Sequence, residues 1–380
     1  MTPAPLRPAR SRRPPPAPTA PPVLPEAFKA LPHLLYRGDP LWTPEDPAAL
    51  DHLFGPGHGY FAHGRAAAFV LAGEARLAVF FDPRLRIDGR QAAFFGFWES
   101  VDEAAPNARL FAEAERWARA QGAERLYGPV DFTTHRRYRL RLDRVLDAPF
   151  PGEPYHPPHY PRLLGALGYR VAEHYVSLGT SRLYGSTIGA LIGQKEAYLG
   201  RLPAGVAMRP LTGTEWLRRL PEIHAFVDLA FGSNPGYLPL TPGDFRACYG
   251  EAFARRLCPH TSRIAVDARG ELAGFLLAFP DYGPLLRQGA PHRVAPRALD
   301  YARHFPLLEA PRFLAKTAAV RPDFRRQGLL SALSTDAARA SLAHYADGLI
   351  CLMHLRNPSL RYGAAVADLT RRYGLFGKPL

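Results

Sequence analysis

The residues of this chain best suited to chemistry lie between Lys316 and Leu333, where the sequence reads KTAAVRPDFRRQGLLSAL. Thr317 to Val320 is a run of β-branched and small residues, Arg321-Pro322-Asp323 breaks it, and an apolar pattern at helical spacing resumes at Leu329. The pattern predicts a strand, a basic loop Arg325-Arg326-Gln327-Gly328 and a helix. Such a loop turns several backbone N–H groups toward one point. The N-terminus of the following helix adds partial positive charge, so the point attracts an anion such as a pyrophosphate. Gly328 lets the backbone come close, and Arg325 and Arg326 add planar guanidinium forks for phosphate oxygens. The bland alternative is a basic turn between a core strand and a core helix.

Strand, V-x-P-x-[FY]-R-R-x-G and helix resemble the acyl-CoA pyrophosphate loop of the GNAT acetyltransferase superfamily, whose pattern is [QR]-x-x-G-x-[GA]. Arg325 and Gly328 match it, and Leu330 stands where that family prefers Gly or Ala. The resemblance implies that acetyl-CoA, or another acyl-CoA, is held by Ala319, Val320, Arg325, Arg326, Gln327, Gly328, Leu329 and Leu330, with Asn357 near the pantetheine arm or capping its helix. It also implies an N-acyltransferase, in which a backbone N–H between Ala318 and Val320 polarises the thioester carbonyl and a tyrosine protonates the leaving thiolate. Tyr362 is the first candidate for that tyrosine and Tyr373 the second; each is equally well read as a packed ring. For the general base the sequence leaves Glu99, His135, His156, His159 or a water chain open. Lys316 reads as pointing to solvent or a phosphate, and Glu309 precedes the strand.

Stepwise periodicity places these residues on elements. In the first half, strands are expected at Ala66 to Gly73, Arg76 to Phe81 and Gln91 to Trp98, a helix at Asn107 to Gln121, and a strand at Leu126 to Val130. The second half repeats the order: a strand at Met208 to Leu211, helices at Glu215 to Phe231 and Asp244 to Leu257, a hairpin through Arg263 to Asp267 and Glu271 to Phe279, the long strand Arg312 to Val320, the helix Leu329 to Ala346, and the strand Gly348 to His354. The resemblance extends to two tandem GNAT-like domains of α/β class with a mixed α+β sheet: residues 25–186 and 206–380, joined by a linker over 187–205. The first is a degenerate copy, because Val101-Asp102-Glu103 stands where the second has its basic loop, and two carboxylates there repel a pyrophosphate. The segments RGDPLWTP near the start and YHPPHYPRLLGALGY at 155–169 are similar to those of tandem bacterial GNAT-like proteins, with His156 in place of the usual Asn.

Composition sets the outer limits. At 380 residues the chain exceeds the size at which single cores stop growing, so two domains are expected. There is no run of about 18 apolar residues and no apolar centre of a leader, so a cytoplasmic protein without a membrane partner is expected. Three cysteines, Cys248, Cys258 and Cys351, give neither a disulfide framework nor a metal spacing. The net charge of +14 raises nucleic acid as a partner. The basic residues, however, are nearly all arginine in a Pro-, Ala- and Gly-rich chain, a bias of GC-rich coding, and nucleic acid stays a minority reading. Residues 1–24, rich in Pro and Arg, read as a disordered basic tail. Three functions remain: N-acyl transfer from acyl-CoA to a small-molecule or peptide amine by a monomer, an aminoacyl-tRNA-dependent ligase of the same architecture, or a non-catalytic acyl-CoA-binding module.

Overall fold

The computed structural model describes residues 20–143, 147–199, 201–357 and 359–380; most of the expected basic tail lies outside them. The first half runs α1 (Glu26–Leu35), α2 (Pro47–Leu53), β1 (Arg65–Leu71), β2 (Ala75–Ile87), β3 (Arg90–Ser100), α3 (Ala104–Ala120), β4 (Arg125–Gly128), β5 (Leu140–Arg141), α4 (Tyr160–Ala166) and β6 (Arg170–Thr180). The helix α5 (Tyr184–Leu199) leads into β7 (Ala207–Pro210), α6 (Gly213–Arg218), α7 (Leu220–Phe231), α8 (Pro242–Tyr249), α9 (Glu251–Ala254), β8 (Arg263–Val266) and β9 (Leu272–Pro280). Then follow α10 (Gly283–Leu286), α11 (Tyr301–His304), β10 (Arg312–Val320), α12 (Leu329–Ser341), β11 (Asp347–His354), α13 (Leu360–Ala364) and β12 (Leu369–Pro379).

The strands form one continuous sheet in the order β1-β2-β3-β4-β12-β6-β11-β10-β9-β8-β7, with β5 paired to β12. Two crossovers at its centre define the molecule. The last strand of the second half, β12, pairs with β4 of the first, and the last strand of the first half, β6, pairs with β11 of the second. Between them β6 and β12 pair with each other along most of their length, Leu369 opposite Gly179 and Gly377 opposite Arg170. Each half therefore donates its terminal strand to the other.

Alternation along the strands explains why both faces of the sheet are covered. Phe80 points into a cluster with Phe28, Leu50 and Phe54 of the α1–α2 region, whereas Val79 and Phe81 meet Leu110, Phe111 and Ala114 of α3. In the second half Ala273, Leu276 and Ala278 pack with α5 and α12, while Phe275 and Leu277 pack with α6 to α9. Period-two side chains on a sheet buried on both sides produce this division.

Several elements differ from the sequence expectation. The joint at 187–205 is a helix for most of its length, and its Ile188 and Ile192 pack in one cluster with Leu333 and Ala337 of α12. The expected helix at Glu215 to Phe231 is two, α6 and α7, parted at Arg219, with Pro221 in the first turn of α7. That is the position at which a missing N–H costs nothing. Gly250 likewise parts α8 from α9. The helix from Leu329 stops at Ser341, before Ala346.

Candidate functional site

The second-half loop has the shape its residues call for. Arg326 and Gly328 are both left-handed, at φ 66° and 83°, and this alternation of hand turns successive N–H groups to one side as an anion-binding nest. Gly328 sits at the N-cap of α12 without a side-chain cap. The backbone N–H groups of Arg326, Gln327, Gly328, Leu329 and Leu330 donate to no described residue; the first loop-to-helix bond is Ala332 N–H to the Gly328 carbonyl. Gln327 is spent on the loop itself, its amide donating to the Asp323 carbonyl at 2.6 Å. Arg325 leans on the carbonyls of Val320 (3.3 Å) and Ala230 (3.4 Å). Arg321 is paired with Asp267 and Asp323, which hold it well above even the usual arginine range.

Beside this loop the sheet opens. β10 and β11 run parallel only from Arg312/Asp347 to Ala315/Ile350. Beyond that point β10 stays with β9 while β11 turns to β6 through an irregularity between Ile350 and Met353, with Leu352 left-handed. Arg321 N–H reaches the Ala273 carbonyl on β9, so by alternation the N–H groups of Ala318 and Val320 face the gap, where no strand receives them. The gap and the loop share one cleft of about 2350 Å³, lined among others by Thr317, Val320, Arg326, Gly328, Leu352 and Asn357. The same cleft continues across the first half, past His135, Tyr138, Arg139 and Tyr175.

The corresponding place in the first half is closed. β3 and β4 part after Phe94/Tyr127, but the opening is filled: Val130 N–H donates to the Phe95 carbonyl, and the Asp131 carboxylate accepts from Phe97 N–H at 2.7 Å. Where a pyrophosphate would lie, Asp102 pairs with Arg162 and the Tyr160 hydroxyl takes up Ser100 N–H. Asp102 is thus paired with Arg162, and the Tyr160 hydroxyl occupies the N–H that ends β3.

The sequence-derived candidates fall into three groups. Ala319, Val320, Arg325, Arg326, Gln327, Gly328, Leu329 and Leu330 lie together on the strand and loop just described, with Leu329 buried beneath it. Asn357 lines the cleft, its carboxamide oxygen accepting from Ser359 N–H at 3.0 Å two residues before α13. Tyr362 lies on α13, but its side chain is outside the described residues. Tyr373 is elsewhere: on β12, fully buried, with its hydroxyl on the Glu153 carboxylate that also binds Arg371.

The histidines and glutamates weighed as bases are mostly consumed. Glu99 is buried, with the hydroxyls of Tyr36 and Tyr160 donating to it at 2.7 and 2.8 Å, and burial pushes its carboxyl up. His156 accepts from Arg141 N–H at 2.8 Å through Nε2, and its Nδ1 meets the Pro157 carbonyl. His159 reaches the Ser100 carbonyl, and Glu309 is exposed away from the cleft. Of these only His135 lines the cleft, bonded to the Tyr249 hydroxyl. Lys316 is half-buried and lines the cleft. It sits at the β10 irregularity beside the gap, donates to the Pro151 carbonyl at 3.0 Å, and rests 4.6 Å over the Phe150 ring. Burial pushes its ammonium below the ordinary lysine range. A lone lysine inside a strand gives no sign of this; the partner loop 149–153 comes from the other half.

The neutral histidines have a consequence for stability. Burial holds His58, His135 and His156 down to about 4, whereas an unfolded histidine takes its proton near 6.5. Between those values the unfolded chain binds protons that the folded chain refuses, so stability falls as pH falls from about 6.5 toward 4. His156 alone contributes about 2 kcal/mol of loss by pH 5. Thermal melts should show Tm dropping steeply between pH 7 and pH 5, and His156→Gln should flatten that slope; a slope unchanged by the substitution contradicts the assignment.

The chain shares its fold, a mixed sheet with helices on both faces, with an N-acyltransferase-like protein of known structure. A probable N-acyltransferase from Enterococcus faecalis superposes over 93% of this chain and 70% of its own, at a TM-score of 0.51 and 10% identity. A tandem GNAT protein of the clavulanic acid biosynthesis pathway aligns over 93% of this chain and 92% of its own, at a TM-score of 0.47 and 14% identity. Among curated proteins, Protein YghO of Escherichia coli strain K12 is 23% identical over 264 residues, 67% of this chain; the match spans 65% of that relative's length. No protein-family model matches the chain. No helix among the described residues is long and apolar enough to cross a membrane.

Proposed function

We propose that the chain is an acyl-CoA-dependent N-acyltransferase, with acetyl-CoA as the first donor to test, an amine as acceptor, and its donor site in the second half. The observation that carries this reading is the row of unreceived N–H groups from Arg326 to Leu330, opening on the same cleft as the gap between β10 and β11. Those groups suit a pyrophosphate, and Arg326 stands at the loop's exposed edge to add charge. Bound acyl-CoA supplies an activated acyl group: the acceptor nitrogen bonds to its carbonyl carbon while the carbon–sulfur bond breaks.

The chain's own part is positional and electrostatic. The N–H groups of Ala318 and Val320 face the gap and can donate to a carbonyl oxygen whose negative charge grows during transfer. Tyr362 is assigned the proton that the thiolate takes up, and Asn357 the wall of the gap. The proton lost by the amine leaves through water in the cleft, because His354, the histidine on β11, has both nitrogens engaged: Nε2 with Glu173 and Nδ1 with Arg356 N–H. One chain completes its own site, the first half forming the wall opposite the donor. Titration calorimetry should give one acetyl-CoA per chain, and a free-thiol assay should show CoA release only when an amine is present. A stoichiometry of two, or no binding, contradicts the reading.

A further inference from the structure

The cleft that holds the donor loop is also lined by a buried cation that pairs with no carboxylate among the described residues. Arg139 is 5% exposed, yet it lines the cleft. Its guanidinium lies in the corner made by two perpendicular phenol rings, 3.7 Å from the Tyr138 centroid and 3.9 Å from that of Tyr175. One nitrogen donates to the Tyr138 hydroxyl, and the Tyr175 hydroxyl lies close enough to favour the charged form; Nε and the other terminal nitrogen make no well-formed hydrogen bond among the described residues. Two unreceived N–H bearing nitrogens on a buried guanidinium are costly unless a ligand takes them.

Among the described residues no carboxylate pairs with Arg139. Burial pushes the Arg139 guanidinium down to about 10, and the groups that oppose this are the phenols of Tyr175 and Tyr373. Glu153, the acid on the adjoining loop, is already held by Arg371 and the Tyr373 hydroxyl. Lys316 adds a second, half-buried cation, whose partners are the Pro151 carbonyl and the Phe150 ring. The backbone at Arg139 is also held left-handed, at φ 82°, a conformation that costs a non-glycine residue about 1 kcal/mol or more. It is fixed by Arg139 N–H on the Pro129 carbonyl.

The position is that of an acceptor. Tyr175 stacks edge-on against His354, 5.0 Å between centroids, and pairs with it across β6 and β11 just beyond the point where β10 departs. One aromatic ring therefore separates the Arg139 guanidinium from the strand bordering the gap. We propose that Arg139, with Lys316 behind it, binds a carboxylate carried by the acceptor, so that the acceptor class is amino acids: amines that also bear a carboxylate. This rests on the acyltransferase reading and adds the acceptor class to it. The open Nε and terminal nitrogen each offer an N–H to a carboxylate oxygen, and hydrogen bonds between opposite charges are the strong ones.

The test uses the full chain, acetyl-CoA, and a panel of the common amino acids with their carboxamides. CoA release and calorimetric binding of each compound are measured on wild type, Arg139→Gln and Arg139→Lys. At least one amino acid should react with kcat/KM about 100-fold or more above its carboxamide, because the amide leaves the buried cation unpaired. Arg139→Gln should erase that ratio by lowering the acid and sparing the amide, and Arg139→Lys should restore part of it. Acetyl-CoA affinity, measured separately, should be the same in all three proteins. Equal kcat/KM for acid and amide, an equal fall for both in Arg139→Gln, or a panel that neither reacts nor binds while acetyl-CoA does bind, overturns the proposal and leaves the donor site standing. Loss of acetyl-CoA binding in wild type overturns the acyltransferase reading instead, and calorimetry of the amino acids alone then still decides whether Arg139 takes carboxylates.

Discussion

Gly328→Glu is expected to weaken acetyl-CoA binding by at least about 100-fold and to remove the thermal stabilisation that saturating acetyl-CoA confers on the wild type. Three effects act together. A side chain at φ 83° strains the residue by about 1 kcal/mol or more. The added atoms stand where the N–H groups of Arg326 to Leu330 converge. A carboxylate there opposes the diphosphate charge at the positive end of α12. Losing two or three charge-assisted hydrogen bonds, at about 1.5–3 kcal/mol each, is enough for the 100-fold. Wild type should gain about 2.7 kcal/mol of stability at a hundred times its dissociation constant, read as a rise in Tm that the variant lacks. Gly328→Ala separates the terms, since it keeps the strain and omits the charge; its loss should be about tenfold. Equal Tm shifts for wild type and Gly328→Glu would place the donor somewhere other than this loop.

The contrast with Arg139 shows what the sequence could and could not disclose. The loop from Arg321 to Gly328 was legible because its chemistry is local: strand, glycine and helix are consecutive, and the function lies in backbone groups whose placement follows from their neighbours. Arg139 carries no such pattern. It is one of many arginines in an arginine-rich chain, and it differs only in being walled by Tyr138 and Tyr175 and left without an acid. Lys316 is similar, its partner being the carbonyl of Pro151, 165 residues away. Tyr373 shows the opposite error. The resemblance makes it the second candidate for the proton donor, and pairing in the middle of the sheet turns it inward to Glu153.

The two strands that hold the halves together were the least visible part of the fold. On β12, Leu369, Arg371, Tyr373 and Leu375 alternate toward one side, but a charged Arg371 in that series hides the period from a hydropathy reading. It is nonetheless fully buried, in an ion pair with Glu153. On β6 the outer end, Arg170 to His174, is half-exposed, and only Tyr175 to Thr180 is buried. Strand identity at the centre of the sheet came from the exchange between halves, which no local pattern encodes.

That exchange leads to the expectation that neither half folds alone. In a chain limited to residues 184–380, β11 loses its neighbour β6 and keeps an open edge beside the gap, where a buried sheet should continue. β12 loses β4 on one side and β6 on the other. The buried Tyr373, Leu375 and Phe376 then face water, at about 1.5–3 kcal/mol each, and Arg371 loses Glu153, which belongs to the other half. Summed, these losses are comparable with the whole stability of an ordinary domain, about 5–15 kcal/mol. Removing 369–380 from the full chain should be as damaging, because it takes a strand from the middle of the sheet and strips Glu153 of Arg371 and the Tyr373 hydroxyl, leaving it only Arg141 at 3.6 Å. Residues 20–182 and 184–380 produced together should instead recover one another as a one-to-one complex, since the cut falls at the exposed Leu183, before α5. Circular dichroism, size exclusion and acetyl-CoA calorimetry on each piece and on the pair decide the matter: a lone 184–380 segment that folds and binds acetyl-CoA as the full chain does would show that the exchanged strands are dispensable to the donor site.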